Sequence, residues 1–107
     1  MFDICEVVVT ATDPDWLSRL TGDLVKIGLV ARGHLMPVRA VYLLGGELHD
    51  EPEFRAMLHT RRGNVTAIVD HIDRDVTGRA SCVVALPITD GHPAYMQWVR
   101  TQTKMPR

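Results

Sequence analysis

The chain reads as an α+β domain with an antiparallel sheet, in the order β-α-β-β-α-β plus a short final helix. Three observations predict this. Valine-rich apolar runs too short for helices stand near both ends, Cys5 to Thr10 (CEVVVT) and Cys82 to Leu86 (CVVAL). Leucines at helical spacing follow the first run. Mid-chain, Gly45-Gly46 separates two long extended stretches, a hairpin signal.

Cys5 to Thr10 is expected as a buried first strand, stopped by Thr12-Asp13-Pro14, which offers an N-cap and a proline suited to a first helical turn. Leu17, Leu20, Leu24 and Ile27 then form one helical stripe, with Lys26 in the last turn and Gly28 placed to end the helix left-handed. Gly22 inside this helix is read as a site of close backbone approach. Leu29 to Met36 is expected to be extended, interrupted by Pro37 and continued by Val38 to Leu44. The return begins at Glu47, and Asp50-Glu51-Pro52 is expected to break or bulge it. Phe54, Ala56, Leu58 and Thr60 alternate with Arg55, Met57 and His59, a strand with one core face. The spacing of Val65, Ile68, Val69 and Ile72 predicts a second helix over about Gly63 to Asp73. Cys82 to Leu86 is expected as a strand buried on both faces and ended by Pro87. Pro93 opens a short helix carrying Tyr95, Trp98 and Val99 on one face.

Right-handed crossovers place the first and third strands at the centre, the last beside the first and the second at an open edge. Ala40 to Leu44 would make that edge apolar, an aggregation hazard unless another copy covers it. The sequence therefore predicts self-association.

All 107 residues fit one domain. Twelve basic and thirteen acidic residues give a formal charge of −1, no footprint for nucleic acid or an anionic membrane. The start MFDICEVVV lacks a basic signal-peptide opening, and no apolar run approaches the ~18 residues of a membrane span. Cys5 and Cys82 lack CxxC spacing; they read as reduced core thiols in a cytoplasm, a strand length apart across an antiparallel pair.

The five histidines, His34, His49, His59, His71 and His92, occur singly. His71 and Asp75 share a helix face, which solvated charges at a helix end explain equally well. The scattered thiols together with Met36 and Met57 could serve a soft metal across subunits, though nothing in the sequence demands it. No nucleophile–base set stands out, so no enzyme is expected and no catalytic residue is assigned.

Most of the chain is similar to the CutA family of small trimeric divalent-cation-tolerance proteins. The residues that carry the resemblance are Val7-Val8-Val9-Thr10-Ala11 with Asp13, then Gly28-Leu29-Val30-Ala31 and Leu35-Met36-Pro37. Val41-Tyr42, Gly46-Glu47-Leu48 and Thr60-Arg61 follow. Ala85-Leu86-Pro87-Ile88 with Gly91, Pro93, Tyr95 and Trp98 is the most specific piece. The resemblance implies a ferredoxin-like fold, a homotrimer, a cytoplasmic setting, and a role tied to copper or another divalent metal. It also implies a subunit interface through Val41, Tyr42, Leu44, Tyr95 and Trp98.

Several family positions differ. Arg32 replaces the usual cysteine, Leu44 a tryptophan and His59 a lysine, and Val76-Thr77-Gly78-Arg79 replaces a His-Pro-Tyr-Glu motif. Acylphosphatases share the fold, but the loop from Thr10 to Pro14 has neither arginine nor glycine for a phosphate. A second reading is a sensor resembling the PII trimers, with a small anion held in an intersubunit cleft by Arg32, Arg39, His59 and Arg79. Intersubunit salt bridges or solvated side chains explain the same residues.

Overall fold

The computed structural model describes residues 3–75 and 80–104. The elements run β1 (Ile4–Ala11), α1 (Pro14–Lys26), β2 (Arg32–Leu44), β3 (Glu47–Arg61), a 3-10 turn (Arg62–Asn64), α2 (Val65–Asp73), β4 (Ala80–Pro87) and α3 (Pro93–Gln102). The four strands form one sheet in the order β2-β3-β1-β4, antiparallel throughout. This is the predicted split arrangement, with β2 at an edge.

Alternation gives the sheet two unlike faces. Cys5, Val7, Val9 and Ala11 of β1 join Ala56 and Leu58 of β3 in a core with Trp16, Leu17, Leu20 and Leu24 of α1 and Ile68 and Ile72 of α2. The opposite face carries α3, whose Val99 packs with Ile4 and Ala31. α3 covers only one end of that face, so Val84 and Leu86 of β4 stay about half exposed in the single chain. No β4 residue is fully buried in the single chain: Ala80 and Val83 are half-buried against the core, the rest of the strand is exposed, and Cys82 is exposed rather than core. The cross-strand pairs Cys5↔Pro87 and Thr10↔Cys82 do separate the thiols by a strand length.

α1 begins where its chemistry allows. Asp13 caps it, its carboxylate accepting from the amides of Asp15 (3.0 Å) and Trp16 (3.2 Å), with Pro14 in the first turn. Ile27, expected on the buried stripe, is instead the C-cap and 40% exposed; Trp16 takes its share of the core. Gly28 ends the helix at φ 81°. Gly22 faces open space, whereas the close approach falls at Gly33, against Thr21 and Leu58.

The hairpin is longer and more regular than expected. β2 starts at Arg32, not Leu29, because the Leu29 carbonyl is taken by the Thr60 hydroxyl at 2.5 Å. From Arg32↔His59 to Leu44↔Glu47 the register never slips, and Gly45 and Gly46 turn it with φ of 60° and 83°. Neither Pro37 nor Pro52 breaks the pairing. Pro37 lies on the edge strand, and Pro52 lies beyond Phe54, the last β3 residue paired with β1. Arg39 and Asp50 also grip each other through two hydrogen bonds where a break was expected. In α2, Val65 replaces Gly63 as the first helical residue, since the 3-10 turn occupies 62–64.

The end of the described chain is strapped down. The Lys104 amide donates to the Gly28 carbonyl (2.8 Å), and the buried Asn64 amide group donates to the Lys104 carbonyl (3.2 Å). Arg61 reaches the Arg100 carbonyl (2.6 Å), and Arg100 forks onto Asp3 at 2.7 and 2.9 Å. These bonds fix α3 across the sheet, which positions the side chains described next.

Candidate functional site: a cation–aromatic cluster beneath the last helix

Antiparallel partners share a face, so the row Leu86↔Glu6↔His59↔Arg32 crosses all four strands on the α3 side. α3 lays Tyr95 and Trp98 over one end of that row. Tyr95 and Trp98 stack on each other at 5.8 Å between ring centroids. The Arg32 guanidinium lies 5.7 Å from the Tyr95 ring and 5.3 Å from the Trp98 ring, within cation–π range. His59 sits at the centre. Its Nε2 is 3.0 Å from Glu6 Oε2 and its Nδ1 is 2.5 Å from the Tyr95 hydroxyl.

These contacts constrain the proton positions. A carboxylate only accepts, so Nε2 carries the hydrogen facing Glu6. In neutral His59 the Nδ1 lone pair then accepts from the Tyr95 hydroxyl; in charged His59 both nitrogens donate. Both ring nitrogens are therefore spent on protein partners. His34, across and one pair along, meets His59 edge-on at 6.1 Å.

Of the four residues expected in a cleft, the structure joins Arg32 and His59. Arg39 lies seven positions from Arg32, an odd offset that puts it on the other face, and roughly 3.4 Å per residue carries it far along the ribbon. Asp50 holds it there and is itself held below the usual carboxylate range by that guanidinium. Arg79 lies outside the described residues. Tyr95 and Trp98, expected at a subunit seam, are part of this cluster; Val41 and Leu44 stand exposed at the far end of the hairpin, and Tyr42 stacks on His49 there at 5.1 Å. Glu6 and His34 were missed. The signal for Glu6 was one acid inside an otherwise apolar strand; His34 could be placed only by register.

Among the described residues the donor set does not match a divalent-metal centre within one chain. No three His, Cys, Asp or Glu side chains gather to hold an ion among the described residues. Cys5 is buried, and burial pushes its thiol pKa up, away from the thiolate a metal needs.

A fold in which a four-stranded antiparallel sheet carries two helices on one face and a strapped third on the other defines the ferredoxin-like class. Residues 5–102 match the family described as CutA1 divalent ion tolerance protein, and the chain belongs to that family. It is 26% identical over 99 residues to "Protein CutA 1, chloroplastic" of Oryza sativa subsp. japonica, covering 92% of this chain and 56% of that protein. It is 26% identical over 100 residues to "Divalent-cation tolerance protein CutA" of Pyrococcus horikoshii, covering 92% and 98%. The structure of the periplasmic divalent cation tolerance protein CutA from Archaeoglobus fulgidus superposes with a TM-score of 0.85 at 18% identity, covering 94% of this chain and 99% of that one. The chain spans little more than half the length of the rice relative.

Proposed function

We propose that this chain is a non-enzymatic, self-associating protein of divalent-metal tolerance, with copper as the metal and the cytoplasm as its setting. Its membership of the CutA1 family over residues 5–102 carries the reading. The geometry supports binding over catalysis. His59, the natural general base of the cluster, has both nitrogens engaged by Glu6 and the Tyr95 hydroxyl, and no serine, threonine or cysteine side chain contacts it among the described residues. The two free cysteines agree with a reducing compartment. Homotrimer assembly follows the family resemblance and the exposed apolar hairpin, where Val41, Leu43, Leu44 and Leu48 are 60–71% exposed.

The test is growth of a host lacking its own relative of this protein across a copper series, with and without this chain. Restored growth supports the role. Identical growth at every copper concentration removes it.

One observation favours a second reading, a small-anion sensor. The Arg32 guanidinium is oriented by two aromatic rings, while no carboxylate bonds it among the described residues. An oriented guanidinium with unspent donors suits phosphate or carboxylate. A thermal-shift panel of phosphate, nucleotides and organic acids should then show a shift that Arg32→Gln abolishes. No shift with any of them discards this reading.

A further inference from the structure

The end of β4 is poorly covered on the face that carries α1 and α2. The cross-strand pairs Cys5↔Pro87 and Val7↔Ala85 put Ala85 and Pro87 on that face, opposite to the one that bears Glu6, His59 and Arg32. α2 packs against this half of the sheet through Ile68 and Ile72, yet it starts only at Val65, after the 3-10 turn. Ala85 and Pro87 stay exposed, although Cys5 and Val7 beside them are buried. The gap is a cavity of about 390 Å³ lined by Cys5, Arg62, Val65, Ala85, Leu86 and Pro87. Apart from the Cys5 thiol and one guanidinium those side chains are hydrocarbon, and none is acidic.

Arg62 is available to a ligand. Its amide donates to the Asp3 carbonyl at 2.7 Å, which fixes the backbone at the rim, while its guanidinium makes no hydrogen bond or ion pair among the described residues. The Asp3 carboxylate is itself spent on Arg100. The floor does not cancel the charge. Burial pushes the Cys5 thiol pKa up, ahead of an opposing effect of the Arg62 guanidinium, so the thiol stays neutral at pH 7. We propose that this cavity binds a small organic carboxylate with an apolar tail, its carboxylate on Arg62 and its tail against Val65, Ala85 and Pro87. A guanidinium offers a carboxylate two parallel hydrogen bonds, and apolar walls reward an apolar body. At the ~30 Å³ that one water molecule takes in the liquid, the volume admits about a dozen non-hydrogen atoms. That is the size of octanoate and well short of a nucleotide. The cavity opens on the other face of the sheet from Arg32, so it is separate from the anion reading of that residue. It also makes no use of the proposed metal role.

The experiment titrates the intact protein with octanoate by calorimetry, with butyrate, octylamine and inorganic phosphate in parallel. The expected result is saturable uptake of one octanoate per chain with a Kd of about 1 mM or tighter, and weaker binding of the other three. Arg62→Gln should lose affinity by about tenfold or more, the scale of a charge-assisted hydrogen bond. Arg62 is exposed, so circular dichroism of that variant should match the parent. Ala85→Leu should fill the cavity and abolish uptake. On the unaltered protein, octanoate should shift the methyl NMR signals of Val65 and Ala85 and leave those of Val99, packed under α3 on the other face, in place. Failure to saturate, octylamine binding as tightly as octanoate, or full affinity in Arg62→Gln would each overturn the site. So would Val65 and Ala85 signals that move on dilution of the free protein but not with octanoate, because a second copy would then be the occupant. The copper growth assay is untouched by any of these outcomes, so the site and the metal role fail separately.

Discussion

At Gly33 an added Cβ would lie 2.5 Å from Thr21 Cγ2 and 2.9 Å from Leu58 Cδ2. Thr21 cannot give way cheaply, because it is buried and its hydroxyl donates to the Leu17 carbonyl at 2.8 Å. Gly33→Ala should therefore destabilise by about 1–3 kcal/mol, the usual cost of overpacking. Gly22→Ala should do the reverse, gaining up to ~1 kcal/mol, since nothing lies within 4 Å of its Cβ and alanine is the better helix former. Urea melts of the two variants check both signs; two changes of the same sign would refute the packing assignment. The Asp3–Arg100 pair gives a pH dependence. The Arg100 hydrogen bond, ahead of an opposing desolvation, lowers the Asp3 pKa on folding. The pair's contribution is thus present above the unfolded carboxyl pKa of about 3.9 and lost as pH falls through the lower folded value. Both side chains are about a third exposed or more, so solvent screening keeps the contribution small. Asp3→Asn should lower the melting temperature at pH 7 and leave it nearly unchanged at pH 2; an equal loss at both would rule out the charge as the cause.

The elements show what the sequence could and could not reveal. Period-two alternation from Phe54 to Thr60, the cap at Asp13 and the turn at Gly45-Gly46 were all legible, because each is a local preference that the tertiary structure leaves intact. Proline and acidic residues in the hairpin misled, because a two-stranded ribbon tolerates what an inner ladder would not. The exposure of β4 was not legible either. A run such as CVVAL reads the same whether a helix or another chain covers it. At the site, Arg32 and His59 stood out as unusual types at recognised positions, whereas Glu6 and His34 acquire meaning only from cross-strand register. The hairpin tip carries its own prediction. Leu43 and Leu48 are paired with each other and are 71% and 70% exposed. Leu43→Lys with Leu48→Lys should shift the solution mass toward a single chain in light scattering, with the circular dichroism unchanged. An unaltered mass would exclude the hairpin from the association surface.

For the whole molecule, the sheet face under α3 is where the proposed assembly and the proposed binding would meet. Trp98 stacks with Tyr95, lies near the Arg32 guanidinium and is still 37% exposed. If its outer face meets a second copy, Trp98→Ala should reduce the assembled fraction at a fixed concentration while the single chain remains folded. A variant with the same mass and the same melting temperature would assign Trp98 to the cluster alone. The half-exposed Val84 and Leu86 on the same sheet face, and the buried unpartnered Arg55 Nε, show that this face is unfinished in the single chain.

The ribbon beyond β1 has a kinetic consequence. From Val38↔Glu53 to Leu44↔Glu47 its strands pair only with each other, whereas β1 is flanked on both sides by β3 and β4. An isolated two-stranded ladder opens at low cost, while the inner strand exchanges its amide protons only through far rarer events. In deuterated buffer the ribbon amides should therefore report the company the chain keeps. On serial dilution their exchange should accelerate while that of Val7, Val8 and Val9 stays constant, which would turn this segment into a built-in gauge of subunit dissociation.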